Sequence, residues 1–244
     1  YDQAVSIKPN YHQAYYMKGQ SLPQLHKYEA ALECYDKTIS FKPDCVDAYY
    51  MKGKTLSQLQ KYEAAIEYYE KTISLQPNDE EAYFYKGDCL HKLQKLTEAI
   101  ECYEKSISLQ PHSPHAYFEK GYCLSGLGRY EEAIDQYNEL IRLDPKDVFA
   151  YNNKGLALRA LGRNQEAIEQ YNEVIRLDPK GVFGYSNKGN ALKTMGKYKE
   201  AIVEYNEAIR LDPKDAEVYY NKANALLAMD KHSEAIDQFN EVIR

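Results

Sequence analysis

No stretch of this 244-residue chain approaches the roughly 20 consecutive apolar residues that a helix needs to cross a bilayer. Cysteine is scarce: five residues, Cys34, Cys45, Cys89, Cys102 and Cys123, an odd number with no CxxC pair. That usage excludes a disulfide framework and fits reduced thiols in an intracellular, most simply cytoplasmic, compartment. There is no excess of positive charge either. The formal net charge is −6, with both signs spread along the chain, which argues against a nucleic-acid backbone or an anionic lipid surface as the main partner. Nucleophile elbow, phosphate loop, dinucleotide fingerprint and paired pocket carboxylates are all missing, so the residues do not read as an enzyme. Of six histidines, only His112 and His115 lie close together. They straddle a turn without cysteines or carboxylates at ligand spacing, so neither a metal nor a cofactor is expected. The chain begins at Tyr1 rather than at a methionine, and the lack of a targeting segment therefore carries no information.

Proline is also sparse, yet seven of the nine fall in register. Pro9, Pro43, Pro77, Pro111, Pro145, Pro179 and Pro213 stand 34 residues apart. Gly19, Gly53, Gly87, Gly121, Gly155 and Gly189 keep the same step, with Ala223 in the seventh place. The chain is therefore one small unit copied many times. With the frame set at His12, full repeats run over 12–45, 46–79, 80–113, 114–147, 148–181 and 182–215, and an incomplete one over 216–244. Residues 1–11 read as the end of a preceding repeat, since Tyr1 is in phase with Tyr35. Together they are expected to form one continuous array over 1–244.

Each repeat holds two helical patterns. In 46–79, Ala48, Tyr49, Lys52, Gly53, Leu56 and Leu59 recur at spacings of three and four, and Tyr62, Ala65, Ile66, Tyr69, Ile73 and Leu75 do the same. Gln60 and Lys61 leave only a tight turn, so the two helices must be antiparallel neighbours. Pro77 ends the second helix. Asp79, Asp147 and Asp215 supply N-caps for the helices that follow, and Ser113-Pro114 pairs a cap with proline at the first helical position. Gly53 and Ala65 are expected to let the two helices approach closely, with Tyr49 and Tyr69 filling the space between repeats. Pro23 interrupts the first helix of its repeat and should bend or shorten it.

Tyr49, then Lys52-Gly53, Leu56, Ala65, Tyr69 and Pro77 form a pattern that resembles the tetratricopeptide repeat (TPR) family, and it covers essentially the whole chain. Two departures recur. Lys18, Lys52, Lys86, Lys120, Lys154, Lys188 and Lys222 stand where the family often has leucine. Leu22 and Leu56 stand where it often has tyrosine. The lysines could lay their stems over apolar surface with the ammonium in water, or form a binding stripe. The resemblance implies an all-α fold, an α-solenoid in which antiparallel helix pairs wind into a right-handed superhelix. First helices line the concave wall, which usually holds extended peptides or partner proteins.

On that geometry the variable first-helix positions carry specificity. In the first half they are Tyr16, Tyr50, Phe84 and Phe118, with Met17, Met51 and Tyr85 beside them, an apolar and aromatic wall that either contacts ligand or packs between neighbouring helices. In the second half they are Asn152, Ser186, Asn153, Asn187 and Asn221, joined by Asn190 and Asn224. Asn153, Asn187 and Asn221 resemble the asparagine ladder of O-GlcNAc transferase, in which amides hold peptide backbone. Duplication alone is the competing account, since Asn138, Asn172, Asn206 and Asn240 recur at a phase facing away. A chaperone-type carboxylate clamp is not expected: Asn190 and Asn221 match, but Ser186 replaces the required lysine. The reading is a protein-interaction scaffold. The alternative is the targeting domain of a larger enzyme such as a glycosyltransferase, and RNA binding ranks last. Arg244 stops within a second helix with no capping helix after it, so the chain is expected to be a segment of a longer array or to pack end to end with another chain.

Overall fold

A computed structural model describes residues 11–243. The expected tail of a preceding repeat, including Tyr1 and Pro9, lies outside those residues, except for Tyr11; so does Arg244. Fourteen α-helices and one 3-10 turn make up the described chain, which contains no strand. They run α1 (His12–Ser21), the 3-10 turn (Pro23–Leu25), α2 (Tyr28–Phe41), α3 (Val46–Gln58), α4 (Tyr62–Leu75), α5 (Glu80–Lys92), α6 (Leu96–Leu109), α7 (Pro114–Gly126), α8 (Tyr130–Leu143), α9 (Val148–Ala160), α10 (Asn164–Leu177), α11 (Val182–Thr194), α12 (Tyr198–Leu211), α13 (Ala216–Leu227) and α14 (His232–Ile243). No described helix is long and apolar enough to cross a membrane. The chain divides into two compact units, 1–123 and 124–244, with the division inside α7. In each unit the second helix of a pair packs on its own first helix and on that of the next pair.

The three expected aspartate caps are present. Asp79 accepts a hydrogen bond from the Ala82 amide at 2.9 Å, and Asp147 does the same for Ala150. Asp215 caps α13 through the Glu217 and Val218 amides. Pro23 has the expected effect: α1 stops at Ser21, and the chain tightens into the 3-10 turn that Pro23 opens.

The turn within each pair has a feature the sequence reading did not isolate. Gln60 sits at φ 59°, the left-handed region, and so do Gln94, Asp230 and His26. Gly128, Gly162 and Gly196 occupy the same place at φ 74° to 76°. The Gln60 amide donates to the Ser57 carbonyl and the Lys61 amide to the Leu56 carbonyl, both at 2.9 Å. This is the Schellman arrangement, which satisfies two orphan carbonyls and needs one left-handed residue. Glycine takes that conformation freely; glutamine does so at a cost.

Tyrosine forms the core of each pair. Tyr35, Tyr69, Tyr103, Tyr137, Tyr171 and Tyr205 are fully buried, with Ala31, Ala65, Ala99, Ala133, Ala167 and Ala201 beside them. The recurring glycine makes room for that ring rather than for a facing alanine. A Cβ added at Gly53 would stand 3.0 Å from Tyr69 Cε1, and one at Gly155 would stand 2.5 Å from Tyr171 Cε1. In the last pair Ala223 takes the glycine's place, and Phe239 stands where the tyrosine would be.

Candidate functional site

With tyrosine and alanine filling the space between helices, the residues left partly exposed on the first helices are those that differ from repeat to repeat. In unit 1 these are largely aromatic, and they pack first on the core. Tyr16 lies 6.3 Å from Tyr35, Tyr50 6.1 Å from Tyr69 and Phe84 5.7 Å from Tyr103, ring centre to ring centre. Tyr85 stacks on Tyr69 at 6.3 Å and meets Tyr50 at 6.0 Å. The Lys54 ammonium sits 5.3 Å above the Tyr85 ring, a cation–π distance. Tyr50 donates its hydroxyl to Glu81 at 2.8 Å. Burial, then the bond to Glu81, raises the Tyr50 pKa; burial raises that of Tyr16 to about 12. Both phenols are neutral at any ordinary pH; Tyr50 donates to Glu81 and Tyr16 accepts from Gln20 Nε2 at 2.7 Å. Met17 is exposed, while Met51 and Phe118 are half-buried. The wall is thus packed from behind and open in front.

In unit 2 the same lattice of contacts is built from amides. Asn187 donates its Nδ2 to Asn152 Oδ1 at 2.8 Å. This pair spans α9 and α11, as Tyr50 and Tyr85 span α3 and α5. Lys193 Nζ donates to Asn221 Oδ1 at 2.7 Å, and Tyr205 donates its hydroxyl to Asn190 Oδ1 at 2.8 Å. Three of the five predicted asparagines therefore already have an internal partner, whereas Asn153 and Asn224 form no side-chain hydrogen bond among the described residues. Each carboxamide has two N–H groups and an oxygen with two lone pairs, so Asn187 and Asn221 keep hydrogen-bonding capacity on their half-exposed side. Aromatic groups are not confined to unit 1. Phe149 and Tyr220 are 62% and 52% exposed, and Phe149 stacks on Phe183 at 6.2 Å.

Among the recurring lysines, Lys52, Lys86, Lys120 and Lys188 are ion-paired. Lys86 pairs with Glu70 at 2.7 Å and Lys120 with Glu104 at 3.0 Å, each reaching a carboxylate on the second helix of the preceding pair. Lys52 makes the same link to Asp36 with only 7% of its surface exposed. Burial pulls the Lys52 pKa down, but bonds to Asp36 and Tyr68 outweigh it, and the ammonium is held charged. In unit 2, Asn138 and Asn172 replace those acids. Lys188 turns to Glu204 of its own pair at 2.9 Å, and burial lowers the pKa of Lys154 and Lys222.

One constellation escaped the sequence reading. Asp88, His91, Lys92, Phe118, Glu119 and Tyr122 line a cleft of about 360 Å³ between α5 and α7 in unit 1. The Tyr103 hydroxyl donates to Asp88 at 2.8 Å, as Tyr205 does to Asn190. His91 Nδ1 lies 3.5 Å from Glu119 Oε2, and the His91 and Tyr122 rings are 5.4 Å apart. Burial pushes Asp88 up to about 6 and also raises Glu119. Burial lowers His91, helped by the Lys92 charge, so its imidazole is neutral at neutral pH. The signal was present, since Asp88 stands three repeats before Asn190. Among the described residues no three His, Cys, Asp or Glu side chains come together in a way that could hold a metal ion.

Three family models match. "TPR repeat" matches residues 189–230, "Tetratricopeptide repeat" matches 118–182, and "Anaphase-promoting complex, cyclosome, subunit 3" matches 24–106 and 60–140. No curated protein matches the chain. Among solved structures, the C-terminal part of a TPR repeat-containing protein from Cytophaga hutchinsonii superposes with a TM-score of 0.81 at 19% identity, covering 93% of this chain and 94% of that one. YrrB, described as a TPR protein with an unusual peptide-binding site, gives 0.69 at 22% identity over 82% of this chain and 99% of its own. MamA gives 0.65 at 26% identity over 68% and 96%.

Proposed function

The chain belongs to the tetratricopeptide-repeat family, and from that premise we propose that it is a scaffold holding a partner protein or an extended peptide against its first helices. The observation that carries this reading is the division of labour within each repeat. The core is the same tyrosine and alanine in every pair but the last, while the half-exposed first-helix positions change from Tyr50 and Phe84 to Asn152 and Ser186. Variation on an open wall over a constant core is what a recognition surface requires, and aromatic side chains are common interface anchors. The peptide-binding site named for YrrB, a protein of the same fold, supports the same direction.

In unit 2 the backbone of an extended segment is the ligand chemistry that amides fit. Asn153 and Asn224 offer unused donors and acceptors, and Asn187 and Asn221 offer the remainder of theirs. The test compares capture of partners from a cell lysate by the wild-type chain and by Asn153→Ala/Asn187→Ala/Asn221→Ala, with helicity checked by circular dichroism. Loss of partners in the triple variant, reproduced by Asn153→Ala alone, supports amide clamping, because Asn153 has no internal bond to lose. Full retention refutes the amide ladder. Absence of any specific partner on the wild-type chain refutes the scaffold.

A further inference from the structure

The cleft between α5 and α7 contains charges that the fold itself does not balance. Asp88 has one carboxylate oxygen engaged by the Tyr103 hydroxyl. Glu119 faces a neutral imidazole at 3.5 Å. Among the described residues that line the cleft, the one lysine or arginine is the exposed Lys92. Two carboxylates therefore share one ammonium. Phe118 and Tyr122 stack at 6.4 Å with planes 19° apart, and Tyr122 is half exposed, so an aromatic face borders the acids. Acid and aromatic face together suit a planar cation, which stacks on the ring while its N–H groups reach carboxylate oxygens. An anion would meet two like charges.

We propose that this cleft receives one arginine side chain of a bound extended peptide, with Asp88 and Glu119 accepting from the guanidinium and Tyr122 stacking against it. The proposal rests on the groove reading above and adds the chemistry of one residue in the ligand. Asp88 also makes the contact pH-dependent. The groups facing it are Tyr103 from α6, His91 and Lys92 on its own helix, and Glu119 from α7. Of these, Tyr103 stays neutral, so as pH falls through about 6 the cleft loses one of the two carboxylates that the guanidinium meets.

The experiment uses the full chain on an array of nonapeptides that are degenerate except at the centre, where Arg, Lys, Gln or Glu is fixed. Arg is expected to be enriched about five- to tenfold over Gln near neutral pH, the size of a partly desolvated charge-assisted contact. Enrichment should vanish in Asp88→Asn/Glu119→Gln and weaken at about pH 5, while total binding remains. The Asp88 replacement is already tolerated in the same place by Asn190, which keeps the tyrosine bond, and circular dichroism confirms that the variant is folded. Binding without preference for Arg over Gln overturns the inference and leaves the groove reading standing. So does an enrichment that the double variant retains. Lys enriched above Arg overturns the assignment to arginine. If no peptide on the array binds, both the inference and the groove reading fall.

Discussion

Replacing Asp88 by asparagine should stabilise this protein, and only above a certain pH. Burial lifts the Asp88 carboxyl from an ordinary 3.8 to about 6 in the folded chain. Each tenfold change in proton affinity corresponds to about 1.4 kcal/mol, so ionised Asp88 costs the fold up to about 3 kcal/mol, and about 1–2 kcal/mol after local relaxation and water penetration. The sign follows from proton counting. Between about 4 and 6 the folded state binds the proton more tightly than the unfolded state does, so stability falls as pH rises through that window and stays low above it. Asparagine never ionises and keeps an oxygen for the Tyr103 hydroxyl, as Asn190 does for Tyr205. Urea unfolding of wild type and Asp88→Asn at several pH values between about 4 and 8 is the assay. The variant should lead by about 1–2 kcal/mol at the alkaline end and converge on wild type at the acid end. A variant less stable than wild type near neutrality, or a gap that does not change with pH, would refute the argument, because either result means that the ionised carboxylate is already well paired.

Two further outcomes follow from the backbone and the core. Gln60→Gly should raise stability by about 0.5–1 kcal/mol, since the Schellman turn holds Gln60 at φ 59°, a conformation that costs L-residues about that much more than it costs glycine; thermal unfolding reads it, and an unchanged midpoint would mean that the turn is unstrained. Tyr171 and Tyr205 are equally buried but differ at the hydroxyl: that of Tyr171 has no hydrogen-bond partner among the described residues, whereas that of Tyr205 donates to Asn190. Tyr171→Phe should therefore be neutral or stabilising, and Tyr205→Phe should cost about 1–2 kcal/mol by orphaning the Asn190 oxygen; equal effects in chemical denaturation would contradict the pairing.

The same two tyrosines show where sequence reading succeeds and where it stops. Helix boundaries could be read because strong local rules set them. The pattern of 46–79 predicts helices over 46–59 and 62–75, and the structure gives Val46–Gln58 and Tyr62–Leu75. Asp79, Asp147 and Asp215 cap as their chemistry dictates, and Pro23 ends α1 early. The left-handed turn residue was harder to see, because Gly128, Gly162 and Gly196 announce it while Gln60 and Gln94 conceal it. The lysine pairs were hidden by distance along the chain. Lys52, Lys86 and Lys120 each follow their carboxylate by 16 residues, a separation that crosses a turn and that helical periodicity does not connect. Side-chain partnership across repeats decides the candidate site in the same way. Asn152 with Asn187 and Tyr50 with Tyr85 occupy one structural place, so the first-helix wall is at once the seam between neighbouring pairs and a partly exposed surface. A residue there is constrained from both sides, and its repetition along the chain cannot by itself separate packing from binding. What separates them is a polar group that the fold leaves short of partners. Asn153 in unit 2 and Asp88 with Glu119 in unit 1 meet that criterion, which is why the decisive substitutions fall on them rather than on the aromatic residues that the core already uses.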